Sequence, residues 1–165
     1  MELKLPQNFN QRFMELKLPP RSLGVREFAS GLRIKTSSKL LVQDTGGDIW
    51  KGSIALLAYL EAEVGHASLK EMTVLELASG TGALGLNLSL LGVHVMMTDI
   101  HTMIPLIREN VEMNAQHLES CTVGFEVLDW RVDAFPASIA EFGPYDLIIA
   151  SDGTLPEHRI PARGY

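Results

Sequence analysis

From residue 73 onward, the apolar positions of this 165-residue chain fall into short runs of two kinds, separated by glycine, proline and polar turns. Thr73–Leu77 is a brief apolar stretch and predicts a strand. Ser79–Gly82 is a glycine turn. Ala83–Leu91 (ALGLNLSLL) reads as a helix with a buried face, stopped by Gly92. Val93–Thr98 predicts a second strand. Pro105 suits the first turn of a helix running to about Gln116, with Ile104, Ile107, Val111 and Met113 on its apolar side. Thr122–Leu128 predicts a third strand, Pro136–Phe142 a short helix or loop, and Tyr145–Ala150 a fourth, almost wholly apolar strand.

The upstream pattern is weaker. Residues 26–36 set Phe28, Leu32 and Ile34 among polar neighbours, as in a strand pair turning at Ser30-Gly31. Thr45-Gly46-Gly47-Asp48 is a loop. Between Trp50 and Leu60 the apolar residues Ile54, Leu57, Ala58 and Tyr59 recur at helical spacing. The hexapeptide MELKLP occurs at residues 1–6 and again at 14–19, a local duplication too short for a solenoid.

Strands alternating with helices predict a parallel sheet, and near-continuous apolar strands such as DLIIA predict burial on both faces. The expected fold is therefore α/β: a Rossmann-like, doubly wound, mainly parallel sheet with a short N-terminal β-hairpin arm. The division expected is a poorly ordered arm over 1–25, one domain over 26–152 and a coil tail over 153–165. That tail holds prolines and no apolar period.

A formal charge of −6 weighs against broad nucleic-acid binding, which needs clustered Lys and Arg. It leaves a basic protein partner open, since acidic surfaces near a cleft attract cationic side chains. Cys121 is the single cysteine, so no internal disulfide forms, and it reads as a small buried apolar residue. No apolar signal region and no long uncharged apolar stretch is present, so no membrane association is expected. The compartment expected is the cytoplasm, with the nucleus also open. His94, His101, His117 and His158 share no ligand spacing with Cys121, and no metal site is expected.

The most informative segment is Val74–Gly85, VLELASGTGALG. A glycine turn between strand and helix lets a ligand approach the backbone and aims free helix N–H groups at an acceptor. By itself, Gly80-x-Gly82-x-x-Gly85 also matches a dinucleotide fingerprint. Asp99 closes the second strand, 17 residues beyond Gly82, where a carboxylate can accept both ribose hydroxyls of either kind of adenosine cofactor. Glu76 lies inside the first strand, where dinucleotide folds usually keep an apolar residue. A carboxylate there must be paired, either by bracing the glycine loop or by meeting an ammonium group.

VLELASGTGALGL, VHVMMTDI, the LDW after strand three and YDLIIASD resemble, in order, the motifs of class I methyltransferases that use S-adenosylmethionine. The upstream TGGDIWKGSIALLAYLE is similar to the segment before the first strand in family-16 protein-lysine methyltransferases. The resemblance covers about residues 26–152. It implies S-adenosylmethionine as cofactor and a protein with an exposed lysine as substrate. It implies that Trp50 packs beside the cofactor and that Ala78, Gly80 and Gly82 pass along its methionine portion. By the same resemblance Asp99 binds the ribose, Asp129 and Trp130 flank the adenine, and Ser151 with the catalytic Asp152 faces the transferring methyl.

The chain departs from that family in four places. Ala78 replaces the first glycine of the turn, which is tolerable if its φ is negative. Lys51 follows Trp50 where an acidic residue is common. Asp152-Gly-Thr-Leu155 keeps an aspartate but lacks the tyrosine of Asp-x-x-Tyr. The family's sheet has seven strands and four are legible, so the sheet is expected to be incomplete, with the fourth strand an open edge fit for self-association. Three functions compete: a lysine methyltransferase, an inert protein of the same fold that binds cofactor or a partner, and an NAD-dependent oxidoreductase. Glu76, Trp50 and Asp129-Trp130 weigh against the last.

Overall fold

Four parallel strands form the centre of the molecule. A computed structural model describes residues 17, 21, 22, 24–131 and 135–153. The MELKLP repeats, except Lys17, fall outside those residues, as do His158 and the tail beyond Gly153. The strands of the main sheet are β4 (Thr73–Leu77), β5 (His94–Asp99), β6 (Val123–Val127) and β7 (Leu147–Ala150). Their order is β6-β5-β4-β7. Thr73 pairs with His94 and Leu77 with Thr98 along β4–β5, while Val74 pairs with Leu147 and Leu77 with Ala150 along β4–β7.

The chain thus steps outward from β4 to β6 and then returns to the other side of β4. That reversal opens a crevice at the carboxyl ends of the strands, where ligands bind in sheets of this class. The sheet is α/β and doubly wound, as the strand–helix alternation predicts. Among the described residues β7 pairs only with β4, and Ile148 on it is 60% exposed.

The period-two pattern divides the strand side chains between two faces. Val74, Val95 and Met97 join the larger core with Leu84, Leu86 and Leu88 of α4 (Ala83–Ser89) and Ile107 of α5 (Ile104–Met113). Leu75 and Met96 face the other way, onto Ile139 of α6 (Ala137–Phe142). Every residue of α4 is buried, which explains a helix apolar around most of its circumference. Each buried leucine there contributes about 2 kcal/mol relative to an exposed one. Cys121 is half-buried at the margin of the larger core.

Ahead of the main sheet, β1 (Arg21–Ser22), β2 (Val25–Glu27) and β3 (Arg33–Lys35) form a three-stranded antiparallel sheet. Its β2–β3 turn spans Ser30-Gly31, as the pattern predicts, and Phe28 N–H donates to the Leu32 carbonyl. β1 adds a strand that the pattern does not announce. Two helices were equally unannounced: α1 (Ser38–Asp44), capped by the Ser37 hydroxyl accepting from the Leu40 N–H, and the four-residue α3 (His66–Leu69). Between them, α2 (Lys51–Tyr59) takes Trp50 as its N-cap and runs on through a π-turn over Leu60–Val64. No described helix is long and apolar enough to cross a membrane. No group of three or more metal-ligating side chains occurs among the described residues.

The free edge of β3 is satisfied by asparagine side chains instead of a strand. Asn110 Oδ1 accepts the Lys35 N–H at 2.7 Å and its Nδ2 donates to the Lys35 carbonyl at 3.1 Å. Asn114, four residues later at the C-cap of α5, repeats both bonds with Arg33 at 2.9 and 2.8 Å. Both asparagines are almost wholly buried. Asn110→Ala strands three backbone groups, so it is expected to lower unfolding free energy by about 2 kcal/mol. Urea denaturation checks this; a loss below about 0.5 kcal/mol, the range of a neutral surface change, would mean water replaces the amide.

Candidate functional site

All four strands of the main sheet end on one cavity of about 460 Å³. Ala78–Thr81 follow β4, Asp99 and Ile100 close β5, Leu128–Arg131 follow β6, and Ser151–Gly153 follow β7. Asp44–Gly46 and Asp48–Trp50, with Ser53 of α2, supply the remaining wall together with Ala83 and Leu84 of α4. Of the residues singled out from the sequence, Trp50, Ala78, Gly80, Asp99, Asp129, Trp130, Ser151 and Asp152 line this space. Glu76 and Gly82 do not.

The turn after β4 is wound tightly. Ala78, Gly80 and Gly82 have φ of 52°, 56° and 76°, so every second residue is left-handed. Such alternation turns backbone N–H groups toward a common concave side, a cradle for negative charge. Here Gly80 N–H donates to Asp99 Oδ2 at 2.7 Å. The condition set for Ala78, a negative φ, is not met. The strand must reverse within two residues to bring Gly80 to Asp99, and alanine accepts the left-handed conformation at a cost of about 1 kcal/mol. Gly82 answers to packing as much as to φ, since a Cβ there would meet Met97 Sδ at 3.0 Å on the core side.

Glu76 stands behind the turn, 2% exposed. Its Oε2 accepts the Gly85 N–H at 3.1 Å, near the start of α4, and its backbone carbonyl accepts from the Thr98 and Ser79 hydroxyls. The Gly85 contact is a bracing one, to the helix that follows the glycine turn. Burial pushes its carboxyl up to about 8, against the pull of hydrogen bonds from Ser79 and Gly85.

Asp99 is oriented from both sides, because Oδ1 accepts the Ile100 N–H at 2.7 Å while Oδ2 holds Gly80. Burial raises its pKa, those two N–H groups lower it, and the Asp44 charge adds a smaller upward push. Beyond β6, Arg131 clasps Asp129 through Nε at 2.8 Å and Nη2 at 2.6 Å. The hydrogen bonds from Arg131 hold the Asp129 carboxyl down at about 2. Trp130 and Trp50 flank the cavity at 41% and 45% exposed, so each ring has a face open to a ligand. The Trp50 indole N–H donates to the Thr45 carbonyl at 3.0 Å, which fixes that ring to the loop before it.

Asp152 follows β7 with φ 53°, and Gly153 beside it packs close to the Ala78 methyl. Its carboxylate lies against the backbone of Gly52 in the first turn of α2, where a Cβ would run into it. Among the described residues, five aspartates (44, 48, 99, 129 and 152) and one cation, Arg131, line the cavity. Asp44, Gly46, Asp48 and Arg131 were not identified from the sequence. The loop glycines and the Ser37 cap were the available signals, but nothing in them says that the loop folds back over β4.

A profile of the family described as lysine methyltransferase matches residues 29–162. Protein N-lysine methyltransferase METTL21A of Xenopus tropicalis is 33% identical over 113 residues, covering 68% of this chain and 49% of that protein. METTL21A of Danio rerio is 32% identical over 116 residues, covering 69% and 50%. Protein-lysine N-methyltransferase EFM6 of Saccharomyces cerevisiae is 29% identical over 171 aligned positions, covering 87% of this chain and 67% of that protein. The chain spans about half the length of the METTL21A relatives it matches. With the family profile matched across most of its length, this chain belongs to the lysine methyltransferase family.

Proposed function

We propose that the cavity binds S-adenosylmethionine and that the chain provides the cofactor-binding half of an enzyme methylating a lysine side chain of a protein. The observation that carries this reading is the convergence of four strand ends and the 44–50 loop on one space of about 460 Å³. That volume suits an adenosyl ligand, since small-molecule sites fall in the range of about 300–1,000 Å³. The lining suits it too. Asp99 presents a pre-oriented carboxylate for two ribose hydroxyls, and Trp130 beside Asp129 offers a ring for adenine to stack on. Ala78 and Gly80 run along the methionine portion, with Gly82 and Glu76 holding that turn from behind. Trp50, Ser151 and Asp152 lie toward the transferring methyl.

The bound cofactor supplies a methyl group activated by its sulfonium. What remains for the protein is alignment and exclusion of water. Asp152 accepts a hydrogen bond from the incoming amine and directs it. Trp50 covers the reacting region. Among the described residues the wall holds more aspartates than cations, which draws a cationic side chain in and repels phosphate and so favours a protein partner over nucleic acid. The lone cysteine suits a reducing compartment such as the cytoplasm or nucleus. A second reading, a cofactor-binding chain without turnover that self-associates through β7, draws support from the 60% exposure of Ile148.

Calorimetry is expected to show binding of S-adenosylhomocysteine and none of NAD. Asp99→Ala removes charge-assisted bonds of about 1.5–3 kcal/mol, so its affinity should fall by tenfold or more. NAD binding in place of S-adenosylhomocysteine would reject the cofactor assignment, and an unchanged affinity in Asp99→Ala would remove that residue from it. Radiolabelled methyl transfer to protein in a cell lysate separates the two readings: bound cofactor without a labelled band favours the second.

A further inference from the structure

The small N-terminal sheet stands outside the doubly wound core, yet its polar contacts reach the cavity wall at two separate points. Arg26 of β2 donates through Nε and Nη2 to Asp48 Oδ1 at 3.1 and 2.9 Å, and through Nη2 to Oδ2 at 3.1 Å. Both side chains are largely buried, at 10% and 18% exposed. Asp48 Oδ1 also accepts the Ile49 N–H at 2.8 Å, and Asp48, Ile49 and Trp50 all line the cavity. The second point is Asn110. Its Nδ2 donates to the Lys35 carbonyl of β3 and, at 2.9 Å, to the Thr81 carbonyl in the glycine turn.

A guanidinium fork that meets both oxygens of a carboxylate sets orientation as well as distance; an ammonium group sets distance alone. The Asp48 carboxylate in turn caps the N–H of the next residue, one position before Trp50. The orientation of Arg26 therefore passes through Asp48 to the backbone that leads into α2. A loop held this way enters the binding equilibrium already ordered, and the entropy of ordering it is not charged against the ligand.

We propose that the N-terminal sheet is a positioning element of the cavity, acting through Arg26 on Asp48 and the 46–50 backbone. Its consequence for ligand affinity rests on the adenosyl-cofactor reading, but its structural content does not. Arg26→Gln and Arg26→Lys, made in the full chain, test both parts. In ligand-free protein, hydrogen exchange at the amides of Ile49 and of Ser37, which donates to the Gly47 carbonyl, should quicken by about tenfold or more in Arg26→Gln while β4 amides keep their protection. S-adenosylhomocysteine affinity should fall by about tenfold in Arg26→Gln and by a smaller factor in Arg26→Lys, which keeps the charge and loses the fork.

Exchange over 46–50 as slow as in the unaltered protein overturns the proposal. So does quickening shared equally by β4, because that marks global destabilisation. An affinity within twofold in a folded Arg26→Gln overturns it as well. If Arg26→Gln fails to fold, Arg26→Lys carries the same criteria. Failure of the unaltered protein to bind S-adenosylhomocysteine would defeat the cofactor reading instead, and exchange alone would then decide the present one.

Discussion

Unfolding free energy is expected to fall by about 3 kcal/mol as pH rises from 5 to 8, with Glu76→Gln removing most of that fall. The cause is the carboxyl behind the glycine turn. It is held at about 8 in the native protein against an ordinary 4.5, because burial disfavours its charged form. Below pH 4.5 the group is protonated in both states and costs nothing. Between 4.5 and 8 the unfolded chain sheds the proton and the native protein keeps it, so unfolding gains from every rise in pH. Above 8 both are ionised and the dependence flattens. Asp99, raised by burial as well, acts in the same direction. Asp129, held down at about 2 by Arg131, acts in the opposite sense but only in strong acid, outside this window. Glutamine keeps an oxygen for the Gly85 N–H and has no charge to bury. Urea midpoints at unit pH steps should therefore show the two proteins alike at pH 5 and the variant more stable by about 3 kcal/mol at pH 8. A flat profile in the unaltered protein would mean that the carboxylate has found a compensating charge.

The strands of the main sheet were legible because burial on both faces leaves apolar runs that glycine and polar turns cut cleanly. β4 was read with its observed ends, and β5 to β7 within two residues of theirs. α1 was not legible: it is seven residues long and buries none of them fully, so it leaves no apolar stripe to read. The strand-end residues of the site were equally plain, since the chain order of turn and strand places each at the same edge of the sheet. Asp48 was beyond reach because its place depends on a long-range contact. Arg26, 22 residues earlier, holds Asp48. Ala78 shows a different limit. Its side chain argued for negative φ, but the need to present Gly80 N–H to Asp99 outweighed a local preference of about 1 kcal/mol. Glu76 was recognised as needing a partner, and only coordinates could show that a backbone N–H of α4 is one.

Gly47→Ala is expected to destabilise the protein by about 3 kcal/mol and to weaken S-adenosylhomocysteine binding by more than about tenfold. Gly47 is buried, and a Cβ there would run into the Ser37 carbonyl oxygen and the Leu41 nitrogen, with the Leu40 carbonyl carbon at 2.9 Å. Those first two atoms make the opening hydrogen bond of α1, at 2.9 Å. The methyl would enter the bond itself, and because every neighbour is backbone, no side chain can turn aside to admit it. Relief requires moving the start of α1 or the 44–50 loop, and that loop carries Asp48 and Trp50 into the cavity. Gly46→Ala is the control. Its Cβ would meet the flexible end of Met103, Cε at 2.9 Å, and the Gly80 Cα at an easier 3.3 Å, so it should cost about 1 kcal/mol. Urea denaturation and calorimetry on the two variants decide the matter. Equal, small losses would show that the loop and the helix start move freely past each other, and the wall they form would then be no rigid part of the site.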